Sequence, residues 1–300
     1  MGTRLSELGF DLPPIGKTRP KWNGQNFTLK GSRISVLEYS ENDLGWTDEH
    51  TSLHESSAGD NHPIDVASRR NAHDQISRSL ATLQGTPTIL EIGCSSGFLL
   101  REIKSAHPDA MVIGADVVHG PLDKLGQETS GIPLIRFDIT QNPFPDKIVD
   151  VVVMVNVLEH IDDDQRAIDE VFRLLKPGGR FVIEVPAGPK LFDDYDRALN
   201  HFRRYTFREL RQKLKNAGFR IERSTHLGFL VYPVFALIKL ARKRRGENAR
   251  DVSTSIKDTS QSRLLQWSLQ LESLLSGVHL PWGIRVLTTA VKDPDGPKTR

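Results

Sequence analysis

Cys94 is the only cysteine in the 300-residue chain, so no intramolecular disulfide can form and no thiolate metal cluster can be built. No apolar run is long enough to cross a bilayer. The longest uncharged one, residues 227–238, falls well short of the roughly 18–20 residues required. Residues 1–20 carry scattered charges and prolines but no apolar segment of a secretory signal, and the expected location is the cytoplasm. Neither G-x-G-x-x-G nor G-x-x-x-x-G-K-[ST] occurs, which removes the usual dinucleotide and P-loop fingerprints. H-E-x-x-H is absent, as are internal repeats and low-complexity tracts. The net charge of +2 calls for no nucleic-acid partner. What remains is ordinary for a globular chain: 38% hydrophobic and 26% charged residues.

The pattern along the chain changes at three places. Residues 1–65 are rich in Gly, Pro, Asn, Ser and Asp and are punctuated by Phe10, Trp22, Phe27, Leu37, Tyr39 and Trp46. They read as an arm lying on the main domain, with short strands at 26–29 and 34–39. Asp65 is expected to cap a helix reaching Leu83. From residue 66 to 226 strand and helix patterns alternate, with strands at 88–92, 111–116, 133–137, 149–156 and 180–186. The unbroken Val/Ile/Met of 149–157 marks a strand buried on both faces, as in the centre of a parallel sheet. Residues 227–282 are an insertion and 283–300 a closing strand with a tail. The fold class is α/β: a Rossmann-like doubly wound sheet, mostly parallel, with helices on both faces.

The chemistry gathers at strand ends. Ile89-Leu90-Glu91-Ile92-Gly93-Cys94-Ser95-Ser96-Gly97 is a buried strand running into a glycine-bracketed loop at the head of a helix. Asp116 ends the next strand, at the distance where an acid can accept hydrogen bonds from both hydroxyls of a ribose. Asp138 ends the one after, followed by Ile139. Asn156-Val157-Leu158-Glu159-His160 leaves the central strand, and Lys176-Pro177-Gly178-Gly179 turns into the fifth.

Those five features, in that order, resemble class I S-adenosylmethionine-dependent methyltransferases, whose first motif is usually written [D/E]-x-G-x-G-x-G. Here Ser95 replaces the middle glycine. The resemblance covers roughly residues 88–225. It implies S-adenosylmethionine as cofactor, with an antiparallel closing strand at 284–291. Glu91 would meet the cofactor's ammonium, and Gly93, Cys94, Ser95 and Gly97 would form its loop. Asp116 and Val117 would hold the ribose, Asp138 and Ile139 the adenine, while Asn156 and Val157 line the site. The helix opening at Gly97 would offer free N–H groups to the methionine carboxylate.

The acceptor side is expected after strands four and five. His160 and His201 are the base candidates, and Arg203 and Tyr205, in the H-x-R-R-Y-T segment, the acceptor-binding candidates. The expected acceptor is a small molecule, a glycan or a lipid-linked group. His50, His54 and Glu55 suggest a metal only weakly, and no metal is expected. Cys94 reads as a packed residue rather than a nucleophile. In the insertion, an apolar stretch abuts Lys239, Arg242, Lys243, Arg244 and Arg245, which fits either a lid over the acceptor or peripheral contact with an anionic membrane. Two rivals stand beside methyl transfer: a Rossmann-type oxidoreductase, and a non-catalytic S-adenosylmethionine sensor or scaffold.

Overall fold

The Val-rich run is β8 (Val149–Val155) in the computed structural model, which describes residues 7–40, 47, 49, 51, 61–245, 263–275 and 278–293. Val149, Val151, Val152, Val153 and Met154 are completely shielded from solvent, as a strand covered on both faces requires. β8 pairs in parallel with β5 (Thr88–Ile92) and, on its other side, with β9 (Leu175–Pro186). β6 (Met111–Asp116) and β7 (Leu134–Arg136) extend the parallel sheet beyond β5. On the far side of β9, β11 (Arg285–Val291) runs antiparallel, and β10 (Arg220–Leu227) pairs antiparallel with β11 at the edge. The chain leaves β5 in one direction for β6 and β7 and later returns to build β8 and β9 on the other. The reversal between β5 and β8 opens a crevice at the carboxyl ends of the strands, where sheets of this kind bind ligands.

Both faces are covered. Ile76 of α1 (Pro63–Leu80), Leu100 and Ile103 of α2 (Phe98–Ala106), and Leu122 and Leu125 of α3 (His119–Glu128) pack on Ile89, Val151, Val153 and Val182. Opposite, Ile168 and Val171 of α4 (Asp164–Leu174) join Leu210 and Leu214 of α6 (Phe207–Asn216) over Leu90, Ile92, Val152 and Met154. Thr206 and Glu209 form a capping box at the start of α6, satisfied in both directions.

Several expectations need correcting. The arm does more than lie on the core. Its β4 (Val36–Glu38) pairs in parallel with β7 and becomes the eighth strand of the sheet, while β1 (Lys21–Trp22), β2 (Phe27–Leu29) and β3 (Ser32–Ile34) form a small antiparallel sheet of their own. The arm's aromatics do anchor it: Phe10 and Tyr39 both meet the edge of Phe144. Helix α1 starts at Pro63, whose fixed φ suits the first helical position, so His62 rather than Asp65 is the cap, and the helix ends at Leu80. Asp65 is instead paired with Arg285 at 2.8 Å. The Lys176–Gly179 turn lies inside β9. The ladder with β8 jumps from Val149↔Leu175 to Val151↔Arg180, leaving those four residues as an excursion.

In the insertion, the apolar stretch continues into α7 (Tyr232–Arg245), and α8 (Arg263–Ser273) packs against α1. Lys239 does not belong to an exposed basic cluster. It is buried and bonded to Asp193 (2.6 Å) and Asp196 (3.1 Å). His50, His54, Glu55 and Trp46 fall outside the described residues. Among the described residues no helix is long and apolar enough to cross a membrane.

Candidate active site

The glycine loop is held in place by the strand beside it. The amides of Gly93 and Cys94 both donate to the Ala115 carbonyl, at 2.8 and 3.0 Å, and Gly97 N–H closes the turn on Cys94 O. Gly93 and Gly97 have φ of +78° and +74°. A side chain at Gly93 would run into Val157, and one at Gly97 into Leu125, so glycine at both positions answers a backbone and a space requirement together. Ser95 stands where the family pattern has its middle glycine and also adopts a left-handed φ of +45°. The replacement keeps the turn at some conformational cost.

Asp116 ties this loop down and faces the crevice. Its Oδ2 accepts the Ser95 amide at 2.8 Å and its Oδ1 the Val118 amide at 3.0 Å. A carboxylate offers about four acceptor positions, so one on each oxygen is left for a ligand. Burial raises its pKa, against the lowering effect of those backbone N–H groups and of Arg136. Glu91, one strand over, is also buried, and its Oε2 has no hydrogen-bond partner. Burial, then Asp116 and Glu102, push its carboxyl well above the usual range, with Arg69 acting the other way. A buried carboxylate oxygen without a donor is costly unless a cation arrives. The thiol of Cys94 is raised by burial and by Asp116 and Glu91, so it stays protonated and packed, as its sequence context suggested.

Asp138 caps a short 3-10 turn, Ile139–Gln141, by accepting Thr140 N–H and Oγ–H at 2.8 Å each, and Ile139 is buried beneath it. Asn156 ends β8 with a left-handed φ of +55°, the strained geometry common where a chain turns sharply into a site. Its amide donates to Glu184 O at 3.0 Å, and Val157 then closes on Gly93.

Three residues further on, the two base candidates meet. The rings of His160 and His201 lie edge to face with centroids 4.6 Å apart, and the neighbouring Glu159 is buried. One donor atom from each of Glu159, His160 and His201 lies within 4.8 Å of the others. The Phe202 amide donates to Glu159 O at 2.8 Å, which stitches the H-x-R-R-Y-T segment to the turn after β8. Burial pushes the Glu159 carboxyl up to about 7, while His201 and Arg285 pull it down. Its Oε2 has no hydrogen-bond partner.

Arg203 and Tyr205, expected at the acceptor, are occupied within the protein. Arg203 pairs with Asp164 at 2.9 Å and donates to the Asp162 carbonyl at 2.8 Å. Tyr205 is buried, and its hydroxyl donates to Asp164 at 2.9 Å. Both serve as posts for the start of α4. Arg204, to which the sequence assigned no role, is the buried one at the centre. With His201 Nδ1 and Lys239 it surrounds Asp196, which lies 2.7 Å from Arg204 and 3.0 Å from His201. The Asp193/Asp196 capping box of α5 (Asp194–Ala198) was legible as an acid pair three residues apart; the reach of Lys239 from α7 was not.

The central sheet is mixed, and its strand order reverses between β5 and β8, where the glycine loop and Asp116 lie. The family model described as "Methyltransferase domain" matches residues 90–183, so this stretch is similar to methyltransferase domains. A protein of Mycolicibacterium smegmatis named as a probable S-adenosylmethionine-dependent methyltransferase is 31% identical over 152 residues, which cover 50% of this chain and 58% of the relative. The demethylmenaquinone methyltransferase of Symbiobacterium thermophilum is 34% identical over 101 residues, 31% of this chain and 40% of that one. The chain thus spans about half the length of the curated relatives it matches. Among solved structures, phosphoethanolamine N-methyltransferase 2 of Haemonchus contortus superposes with a TM-score of 0.51 at 17% identity, over 81% of this chain and 60% of that one, a likeness of fold.

Proposed function

We propose that this protein transfers the methyl group of S-adenosylmethionine to an oxygen of an amphiphilic, lipid-linked acceptor. The observation that carries the cofactor half is the pair of carboxylates at adjacent strand ends: Glu91 with an orphaned buried oxygen, and Asp116 with one acceptor position left on each oxygen. Glu91 suits the cofactor's ammonium and Asp116 its ribose hydroxyls. The N–H groups opening α2 suit its carboxylate, and Asp138 with Ile139 its adenine. Val157, pressed on Gly93, walls the site towards the acceptor. Bound there, the cofactor supplies an electrophilic sulfonium methyl, whose transfer leaves the carbon–sulfur electron pair on sulfur. The chain's part is to align the acceptor beside the Glu159–His160–His201 cluster and exclude water, the acceptor's proton leaving to solvent. Positioning of this kind lowers a barrier by about 7–11 kcal/mol.

The exposed faces of the insertion support the amphiphilic acceptor. Lys239 fixes the inner side of α7 over α5 and the His201 segment, as a lid would be fixed. Its outer side shows Val234, Leu237 and Ile238, and Trp267, Leu271 and Leu274 are exposed on and just beyond α8. An apolar outer face with tryptophan suits the headgroup boundary of an anionic bilayer, beside the basic run at 242–245. The lid and membrane readings then describe two sides of one helix. The test is methyl labelling of membrane and soluble extract fractions with mass spectrometry of the product. Label in a lipid-extractable methyl ether is expected. Label confined to water-soluble amines would refute the acceptor assignment, and no label in any fraction would refute turnover.

A further inference from the structure

The acceptor-side cluster has a donor set of its own. Glu159 is 1% exposed, and its Oε2 lacks a hydrogen-bond partner although ligand atoms of the partly buried His160 and His201 lie within 4.8 Å of its carboxyl. His201 Nδ1 is engaged by Asp196 Oδ1 at 3.0 Å, which turns the other ring nitrogen away from that carboxylate. A carboxylate that fixes the tautomer and orientation of a histidine in this way recurs behind metal-bound histidines. Asp196 is in turn immobilised by Arg204 and Lys239. From this geometry we infer that Glu159, His160 and His201 form a binding site for a divalent first-row transition cation, open on the acceptor side.

Two imidazoles and one carboxylate, without thiolate, favour zinc, manganese, iron or cobalt over calcium or magnesium and leave coordination positions free. Ligands about 2.0–2.2 Å from a shared ion stand roughly 3–3.5 Å apart, so donors within 4.8 Å close on it by small side-chain rotations. A bound cation supplies the positive partner that the buried Glu159 oxygen lacks. It also names the acceptor more closely. A cation held by these three residues would make a coordinated hydroxyl more acidic, so that its proton could leave to solvent, and an acceptor with a second oxygen beside the first would chelate. The two histidines then act as ligands, not as proton acceptors. The inference rests on the methyl-transfer reading for the acceptor, but not for the cation.

The test is Mn²⁺ binding to the full chain by electron paramagnetic resonance, with elemental analysis for Mn and Zn after loading and dialysis. Near-stoichiometric retention is expected. Asp196→Asn should weaken Mn²⁺ binding 10–100-fold, and Glu159→Gln or His160→Ala at least as much. His73→Ala, which alters only the stacked His73–His107 pair on another face, should leave binding unchanged. Glu159→Gln removes a buried charge without changing shape, so it remains a test even where His160→Ala fails to fold. Wild-type protein that retains neither metal overturns the site, and so does a Glu159→Gln variant that binds Mn²⁺ as tightly as wild type. S-adenosylhomocysteine calorimetry on the same samples separates the two proposals. Cofactor binding without cation binding sinks only the cation site, whereas cation binding without cofactor binding sinks the methyl-transfer reading.

Discussion

Replacing Asp116 tests the cofactor assignment at its most constrained point. Its carboxylate accepts the Ser95 and Val118 amides and, in the proposed complex, two ribose hydroxyls. Hydrogen bonds to a charged acceptor contribute about 1.5–3 kcal/mol each. Losing both ribose contacts in Asp116→Ala therefore costs about 3–6 kcal/mol, or roughly 10²–10⁴-fold in Kd. The same substitution orphans two backbone N–H groups, at about 1–3 kcal/mol each where water cannot reach them, and the variant is expected to melt earlier as well. Asp116→Asn separates the effects. It preserves shape, keeps one carbonyl oxygen for a backbone amide, and turns an NH₂ donor towards the other, so the loop is disturbed less while the charge is lost. Calorimetry with S-adenosylhomocysteine, run alongside thermal unfolding, reads both quantities. A folded Asp116→Asn variant that binds within threefold of wild type would refute ribose recognition by this residue.

Four further outcomes follow from the same geometry. Glu91 is held well above the ordinary carboxylate range in the free protein, and a bound ammonium would lower it. Cofactor binding should therefore release a proton at any pH below the free-state value and strengthen as pH rises towards it. Calorimetry in buffers of different ionisation enthalpy should show this release in wild type and not in Glu91→Gln; equal release in both would remove Glu91 from the site. Gly93→Ala places a methyl group against Val157 at a left-handed φ and should destabilise by about 2–5 kcal/mol. Adding Val157→Ala should restore part of that loss, and strictly additive melting points would contradict the contact.

Burial alone would raise Asp164, but hydrogen bonds from Lys213, Arg203 and Tyr205 outweigh it and hold the carboxyl below its ordinary value. Its stabilisation is therefore complete above about pH 4 and is lost as pH falls through the depressed value. Urea unfolding between pH 2 and 7 should show Asp164→Asn less stable by about 2–3 kcal/mol at neutral pH and nearly equal to wild type in acid; parallel pH profiles would count against the cluster. Finally, wild-type protein should sediment with phosphatidylglycerol vesicles, and a Leu237→Glu, Trp267→Glu double variant several-fold less. Equal sedimentation of the two would leave the exposed face without a membrane role.

Local patterns determined much of this protein. The strand–loop–helix at Glu91–Gly97, the acids closing β6 and β7, the doubly buried β8 and the capping box of α6 are all written in neighbours a few residues apart, because turn geometry, capping and strand burial are short-range requirements. All but the last are the elements on which the proposed cofactor site is built. What only the tertiary structure decided is the fate of charged side chains. In sequence, Arg203 and Tyr205 read as acceptor-binding candidates and Arg204 as a residue without a role. The fold sends Arg203 and Tyr205 to Asp164 and Arg204 to Asp196, where Lys239 arrives from 43 residues away. The sheet edge was likewise open until β4 paired with β7, a contact between residues about 100 apart. Long-range pairing of buried ions and strand edges depends on which surfaces packing brings together, and nearby residues carry no record of it. The glycine loop could be recognised in isolation, but the Glu159–His160–His201 cluster exists only because the Phe202 amide reaches the Glu159 carbonyl and draws two distant turns into one site.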